Sequence, residues 1–134
     1  MSKKFNIDWQ TFDFAVTDIV GEYEGKGITQ IVGLSRGGLP LAVALSNQLG
    51  VPMVPIVWQT RDGAVKDIEG LNKLENVETT LFVDDICDSG LTIEQIREVY
   101  PDSIWCTIVN KKPGFIDYSP LEVDGDEWIV FPWE

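Results

Sequence analysis

Four short apolar runs constrain this chain most: ITQIVGLS at 28–35, VPMVPIVW at 51–58, TTLFVDD at 79–85 and SIWCTIVN at 103–110. Each has the length and apolar character of a buried strand. Helical patterns lie around them. After Asp8, a predicted N-cap, residues Trp9, Phe12, Val16, Ile19, Val20 and Tyr23 recur at helical spacing, and Gly21, Gly25 and Gly27 then punctuate the chain. Leu41 to Leu49 read as a short apolar helix stopped by Gly50. SGLTIEQIREVYP reads as a helix that opens at Gly90 or Leu91 and closes at Pro101. Strands alternating with helices predict an α/β fold with a mostly parallel sheet, right-handed crossovers and flanking helices. The prolines of the second run place it near an edge of that sheet or at strand ends.

At 134 residues the chain has room for one core, and no linker or repeat divides it, so residues 1–134 are expected to form a single domain. Residues 59–78, QTRDGAVKDIEGLNKLENVE, break the pattern. They are polar, weakly periodic and carry both charge signs, which predicts a functional loop.

The formal net charge is −12. Such a field repels nucleic acid and anionic membranes, so neither is an expected partner. A phosphorylated metabolite would need local compensation from backbone N–H groups, a helix N-terminus, a few Arg or Lys, or a divalent cation. The chain has no histidine, which excludes imidazole-based triads and His-ligated zinc. No apolar run approaches the roughly 20 residues that span a bilayer, and MSKKFNIDWQ lacks the apolar stretch of a secretory leader. Cys87 and Cys106 make no disulfide framework or zinc-type cluster. A cytoplasmic protein with reduced thiols is expected.

Ligands of open α/β sheets gather at the carboxyl ends of the strands. Two of those ends are unusual here. In LFVDDICDSGLT, residues 81–92, an apolar strand leads into Asp84, Asp85 and Asp88 and then into a helix. The turn Asp88-Ser89-Gly90-Leu91-Thr92 would aim free backbone N–H groups at one spot, with hydroxyls from Ser89 and Thr92 and close approach at Gly90. That is a phosphate cradle. Asp84 and Asp85 before it suit vicinal sugar hydroxyls or hydrated Mg²⁺. A plain helix cap needs one acid, and this run has three. At the other strand end, Ser35-Arg36-Gly37-Gly38 combines a guanidinium fork suited to a diphosphate with two glycines.

Together the two loops resemble the type I phosphoribosyltransferases, whose motif for 5-phosphoribosyl 1-diphosphate (PRPP) is a hydrophobic strand, Asp-Asp, two residues, Asp-Ser/Thr-Gly, one residue and Thr. GLSRGGLPLAVALSNQLGVP, IREVYP, TIVNKKPG and DEWIVFPWE extend the resemblance to the bacterial xanthine-guanine phosphoribosyltransferases over most of the chain, weakening between residues 59 and 78. The resemblance implies a Rossmann-like, mostly parallel sheet with a small hood built from residues 111–134 and the N-terminal segment. It implies transfer of phosphoribosyl from PRPP to guanine, xanthine or hypoxanthine, with Mg²⁺ as cofactor and pyrophosphate as leaving group. PRPP would be held by Ser35, Arg36, Gly37 and Gly38 at the pyrophosphate, by Asp84 and Asp85 at the ribose, and by Asp88, Ser89, Gly90, Leu91 and Thr92 at the 5′-phosphate. The Ser35–Arg36 peptide would be cis. Asp85, with Asp84, would meet the metal, and Asp88 near the purine N7 is the implied general base. Lys111, with Lys112 as a substitute, would reach the 6-oxo group. Trp128 would stack on the purine, and Ile129 would read its 2-position.

Residues 59–78 would be a flexible lid, with Arg61 or Lys66 reaching pyrophosphate. Here the chain departs from the family, showing Gln59-Thr60-Arg61-Asp62 in place of a Ser-Tyr pair. A homo-oligomer, dimer or tetramer, is implied. Trp9, Trp58, Trp105 and IVFPW would lie in its interface or in the core. The same residues would also suit a PRPP- or nucleotide-sensing module without turnover. A signalling receiver domain fits less well, because its paired acids belong on the first strand of the sheet and the first strand here ends in Gly33-Leu34-Ser35.

Overall fold

The computed structural model describes residues 3–60 and 64–134. Helix α1 (Trp9–Tyr23) starts where the Asp8 carboxylate accepts the Thr11 N–H at 2.7 Å. Strand β2 (Gln30–Ser35) follows, then α2 (Leu39–Leu49) and β3 (Met53–Val57). Helix α2 opens two residues earlier than its apolar pattern suggests. Pro40 sits in its first turn, where a missing N–H costs nothing, and Gly50 ends it in the left-handed conformation. Next come α3 (Ile68–Asn72), β4 (Thr80–Cys87), α4 (Leu91–Val99) and β5 (Ile104–Asn110). The tail adds β6 (Leu121–Glu122) and β7 (Trp128–Val130), and β1 (Lys4–Asn6) precedes α1.

Five strands form a sheet in the order β3-β2-β4-β5-β6, and every neighbouring pair is parallel. The Pro-containing β3 takes an edge, as its composition predicts. Successive side chains of β4 serve opposite faces. Leu81 and Val83 pack with Ile19 of α1 and Leu41 and Leu45 of α2. Phe82 packs with Leu71 of α3, Ile96 of α4 and Trp105 of β5, its ring stacked on Trp105 at 5.2 Å between centroids. Each such side chain contributes roughly 1.5–3 kcal/mol when fully buried. Trp58 and Trp105 are therefore core residues, whereas Trp9 is largely exposed beside Phe12 and Trp133.

Residues 59–78 hold more structure than their composition suggests. Lys66 pairs with Trp58 as an antiparallel bridge. Asp67 caps α3 by accepting the Gly70 N–H at 2.9 Å, and Leu71 is wholly buried. A 3-10 turn at Val77–Thr79 leads into β4. The termini meet as well: β1 pairs in parallel with β7, Phe5 opposite Ile129, as a separate two-stranded sheet. Among the described residues, no helix is long and apolar enough to cross a membrane.

Candidate active site

The carboxyl ends of β2 and β4 face a cleft of three adjoining cavities, of about 220, 370 and 350 Å³, and Asp85 lines all three. The β2–α2 loop enters through a cis peptide between Ser35 and Arg36, as the resemblance implies. It then lies directly on β4. A Cβ at Gly37 would overlap the Asp85 carboxylate, and one at Gly38 would stand 2.7 Å from the Val83 carbonyl and 2.9 Å from that of Leu34. Only glycines let this loop and the end of β4 share the space.

Asp84 and Asp85 sit half-buried in the last half of β4, and the Asp85 N–H donates to Asp84 Oδ1 at 2.8 Å. Burial, and then the neighbouring Asp85 charge, hold the Asp84 carboxyl well above the usual carboxylate range. Burial pushes Asp85 up too, and Glu134 adds a smaller repulsion. Two acids held this way create demand for a cation or for hydroxyl donors.

Beyond them the chain turns at Gly90, whose φ of +81° is left-handed backbone, and α4 begins. Ser89 Oγ accepts the Leu91 N–H at 3.3 Å. Asp84 through Ile93, including Ser89, Leu91 and Thr92, line the smallest cavity together with Thr60. Past Leu91, the N–H groups of Thr92 and Ile93 in the first turn of α4 are the ones an anion there could meet.

Asp88 is exposed, with Oδ2 3.9 Å from Lys111 Nζ. Lys111 itself is nearly buried, its side chain only 8% exposed, and it donates to the Glu127 carbonyl at 2.5 Å. These two residues line the largest cavity with Arg36, Trp128 and Ile129. Trp128 is 58% exposed, a large aromatic face offered to whatever enters, while Ile129 is buried behind it. The Trp128 N–H donates to the Lys3 carbonyl at 2.6 Å, so the β1–β7 pair carries this wall.

The family model for the phosphoribosyl transferase domain matches residues 8–134. The chain belongs to the phosphoribosyltransferase family. It is 29% identical to the xanthine-guanine phosphoribosyltransferase of Cereibacter sphaeroides, across 98% of this chain and 87% of that protein. It is 30% identical to the same-named protein of Nitratidesulfovibrio vulgaris, across 85% of this chain and 71% of the other. The solved purine phosphoribosyltransferase of Pyrococcus horikoshii superposes with a TM-score of 0.79 at 28% identity, covering 98% of this chain and 94% of that one.

In this phosphoribosyltransferase the expected residues Ser35, Arg36, Gly37, Asp84, Asp85, Asp88 to Thr92, Lys111, Trp128 and Ile129 line one cleft, whereas Gly38 does not: it packs against the Val83 and Leu34 carbonyls, and its N–H donates to Leu34. Lys66 is not among the residues lining its cavities: its Nζ lies 5.9 Å from the Trp58 ring centroid. Arg61 lies outside the described residues. Sequence reasoning missed Thr60, Phe131, Trp133 and Glu134 as cleft-lining residues. Phe131 and Trp133 stack at 5.0 Å, and Glu134 Oε1 accepts the Phe131 N–H at 2.9 Å, which turns this carboxylate toward the cleft. The aromatic density of WIVFPWE was the available signal, but it does not separate core from cleft. Lys112 does not duplicate Lys111. Its ammonium turns toward Ser89, donating to that carbonyl at 3.2 Å.

Proposed function

We propose that this phosphoribosyltransferase transfers the 5-phosphoribosyl group of PRPP to a 6-oxopurine (guanine, xanthine or hypoxanthine), giving the nucleoside 5′-monophosphate and pyrophosphate. One observation carries the reading: a single cleft runs from an anion cradle at the α4 N-terminus, past two adjacent carboxylates, to a nearly buried lysine beside an exposed tryptophan. Phosphate, diol and oxopurine are the ligand groups that match those features in that order. The xanthine-guanine names of its relatives support the same substrate class.

In this reading Ser89 to Thr92 bind the 5′-phosphate and Asp84 and Asp85 hold the ribose hydroxyls. Arg36 and the Gly37 amide take the pyrophosphate, while the Gly38 N–H donates to the Leu34 carbonyl at 2.9 Å and so shapes the loop. Lys111 donates to O6, which disfavours adenine, whose amino group at that position is itself a donor. Trp128 stacks on the ring and the Ile129 carbonyl meets the 2-position. As the glycosidic bond to pyrophosphate breaks, positive charge develops on the ribose, and the neighbouring carboxylates stabilise it. Asp88 takes the purine proton as the new C–N bond forms.

The donor set fits Mg²⁺. Asp84 and Asp85 are hard oxygen ligands whose paired charge a cation relieves. Mg²⁺ needs only one or two protein carboxylates, since it keeps several waters and binds substrate oxygens. When bound, Mg²⁺ offsets the charge of the departing pyrophosphate.

Within residues 59–78, α3 is anchored in the core by Leu71, so the stretch before α3 acts as the lid that excludes water from the reacting centre, with Arg61 contributing to pyrophosphate binding. Residues 111–134 with the N-terminal segment form the hood of a single domain. A cytoplasmic homo-oligomer completes the proposal. A sensor without turnover would have no use for Asp88 set beside Lys111. The test is incubation with PRPP, Mg²⁺ and each of guanine, xanthine, hypoxanthine and adenine. Nucleotide should form from the oxopurines and not from adenine. Tight PRPP binding with no product from any base would replace this reading with the sensor.

A further inference from the structure

The phosphate cradle is braced from behind by a segment outside its own motif. Asn110, buried at the end of β5, holds Lys112 by both backbone groups: Oδ1 accepts the Lys112 N–H at 3.1 Å, and Nδ2 donates to the Lys112 carbonyl at 3.2 Å. The chain then turns, with the Phe115 N–H donating to the Lys112 carbonyl at 3.2 Å. Lys112 Nζ lies 4.1 Å from the centroid of the Phe115 ring and donates to the Ser89 carbonyl at 3.2 Å. Arg97, in the last turn of α4, lies 5.2 Å from the same ring centroid, and its Nη1 donates to the Phe115 carbonyl at 2.6 Å. The ring presses on the cradle itself: a Cβ at Gly90 would come within 2.6 Å of Phe115 Cε2.

We propose that Lys112 and Phe115 are positioning residues for the 5′-phosphate of PRPP, holding the Ser89–Gly90 turn in its anion-binding geometry; this rests on the phosphoribosyl-transfer reading above. Phe115 sits against the left-handed Gly90 that aims the α4 N-terminus into the cleft. Lys112 holds the Ser89 carbonyl through its ammonium, which fixes the peptide that leads into the turn. It also places a cation against the cradle of a chain carrying a net charge of −12. The consecutive lysines thus divide the work. Lys111 turns to Asp88 and Glu127 on the base side, and Lys112 to Ser89 on the phosphate side.

The test uses the full chain with Mg²⁺ and three variants, Lys112→Met, Lys112→Arg and Phe115→Leu. Steady-state kinetics are paired with calorimetric titration of PRPP and of ribose 5-phosphate. Losing one charge-assisted hydrogen bond corresponds to about a tenfold rise in KM for PRPP in Lys112→Met. The KM for the purine and kcat should each move less than about twofold, and ribose 5-phosphate affinity should fall by a similar tenfold. Lys112→Arg should recover most of the loss. Phe115→Leu should raise KM for PRPP in the same direction. An unchanged KM for PRPP in folded Lys112→Met overturns the proposal, as does an equal rise in KM for both substrates. The titrations do not depend on turnover. Tenfold weaker ribose 5-phosphate binding by Lys112→Met supports the brace even if no base yields product. Wild-type protein that binds neither PRPP nor ribose 5-phosphate overturns both readings.

Discussion

Asp84 and Asp85 show what the cleft demands of single residues. Burial, and for Asp84 also its neighbour's charge, raise these carboxyls above the ordinary value of 3.8, so each holds its proton more tightly in the folded chain than in the unfolded one. As pH rises above 3.8 the unfolded chain loses these protons first, and folding stability falls. Asn mimics the neutral acid, so Asp84→Asn should melt at a higher temperature than wild type at pH 7 when no ligand is present. That advantage should shrink as pH is lowered toward 3.8, and melting curves between pH 4 and 7 check the slope. The same variant should lose the stabilisation that Mg²⁺ with PRPP gives wild type. Asp88 contrasts with this pair, because it is exposed and faces Lys111. Asp88→Asn should lower kcat roughly 100-fold, the lower range for a lost general base, while PRPP titrates with little change. These acids stood out in the sequence because three of them followed an apolar strand. Glu134 did not, because its approach to Asp85 depends on how the tail folds back.

Among the elements, legibility followed length and locality. Helices α1 and α4 repeat an apolar face over several turns, so their periodicity is readable. Helix α3 has five residues and one buried anchor, Leu71, too few to make a period. Strand β1 has three exposed residues and exists because β7 offers its edge from the far end of the chain. Strand β4 runs two residues past Asp85, because Ile86 and Cys87 continue the ladder opposite Val109 and Asn110. The anchoring of α3 has a measurable consequence for the segment 59–78. Leu71→Ala should cost about 2–5 kcal/mol in urea unfolding, the cost of a core cavity. A loss under about 0.5 kcal/mol would mean that Leu71 sits on a surface free of the core.

Across the whole molecule, 22 acidic residues against 10 basic ones surround a site built for a phosphorylated anion. Long-range repulsion should slow the approach of PRPP, and salt should screen it. Stopped-flow association of PRPP, at fixed Mg²⁺, should therefore speed up several-fold between about 10 and 150 mM ionic strength. A basic phosphate-binding protein would show the reverse trend. The parallel sheet supports this design by bringing the ends of β2 and β4 side by side. In the proposed reading the cations Arg36, Lys111 and Lys112 act at short range, where screening counts least.

The sequence by itself determined the α/β class, the parallel sheet and the two unusual loops at strand ends, because these rest on local signals: apolar runs, helical spacing, and acids and glycines at strand ends. Tertiary structure alone decided which way each lysine turns, Lys111 to Asp88 and Glu127 and Lys112 to Ser89, since the two are chemically identical and differ only in direction at the end of β5. It alone put Trp58 and Trp105 in the core, turned Trp128 outward and seated Phe115 against Gly90. Those outcomes depend on contacts between residues far apart in the chain, and neither spacing nor composition encodes which surface a side chain will meet.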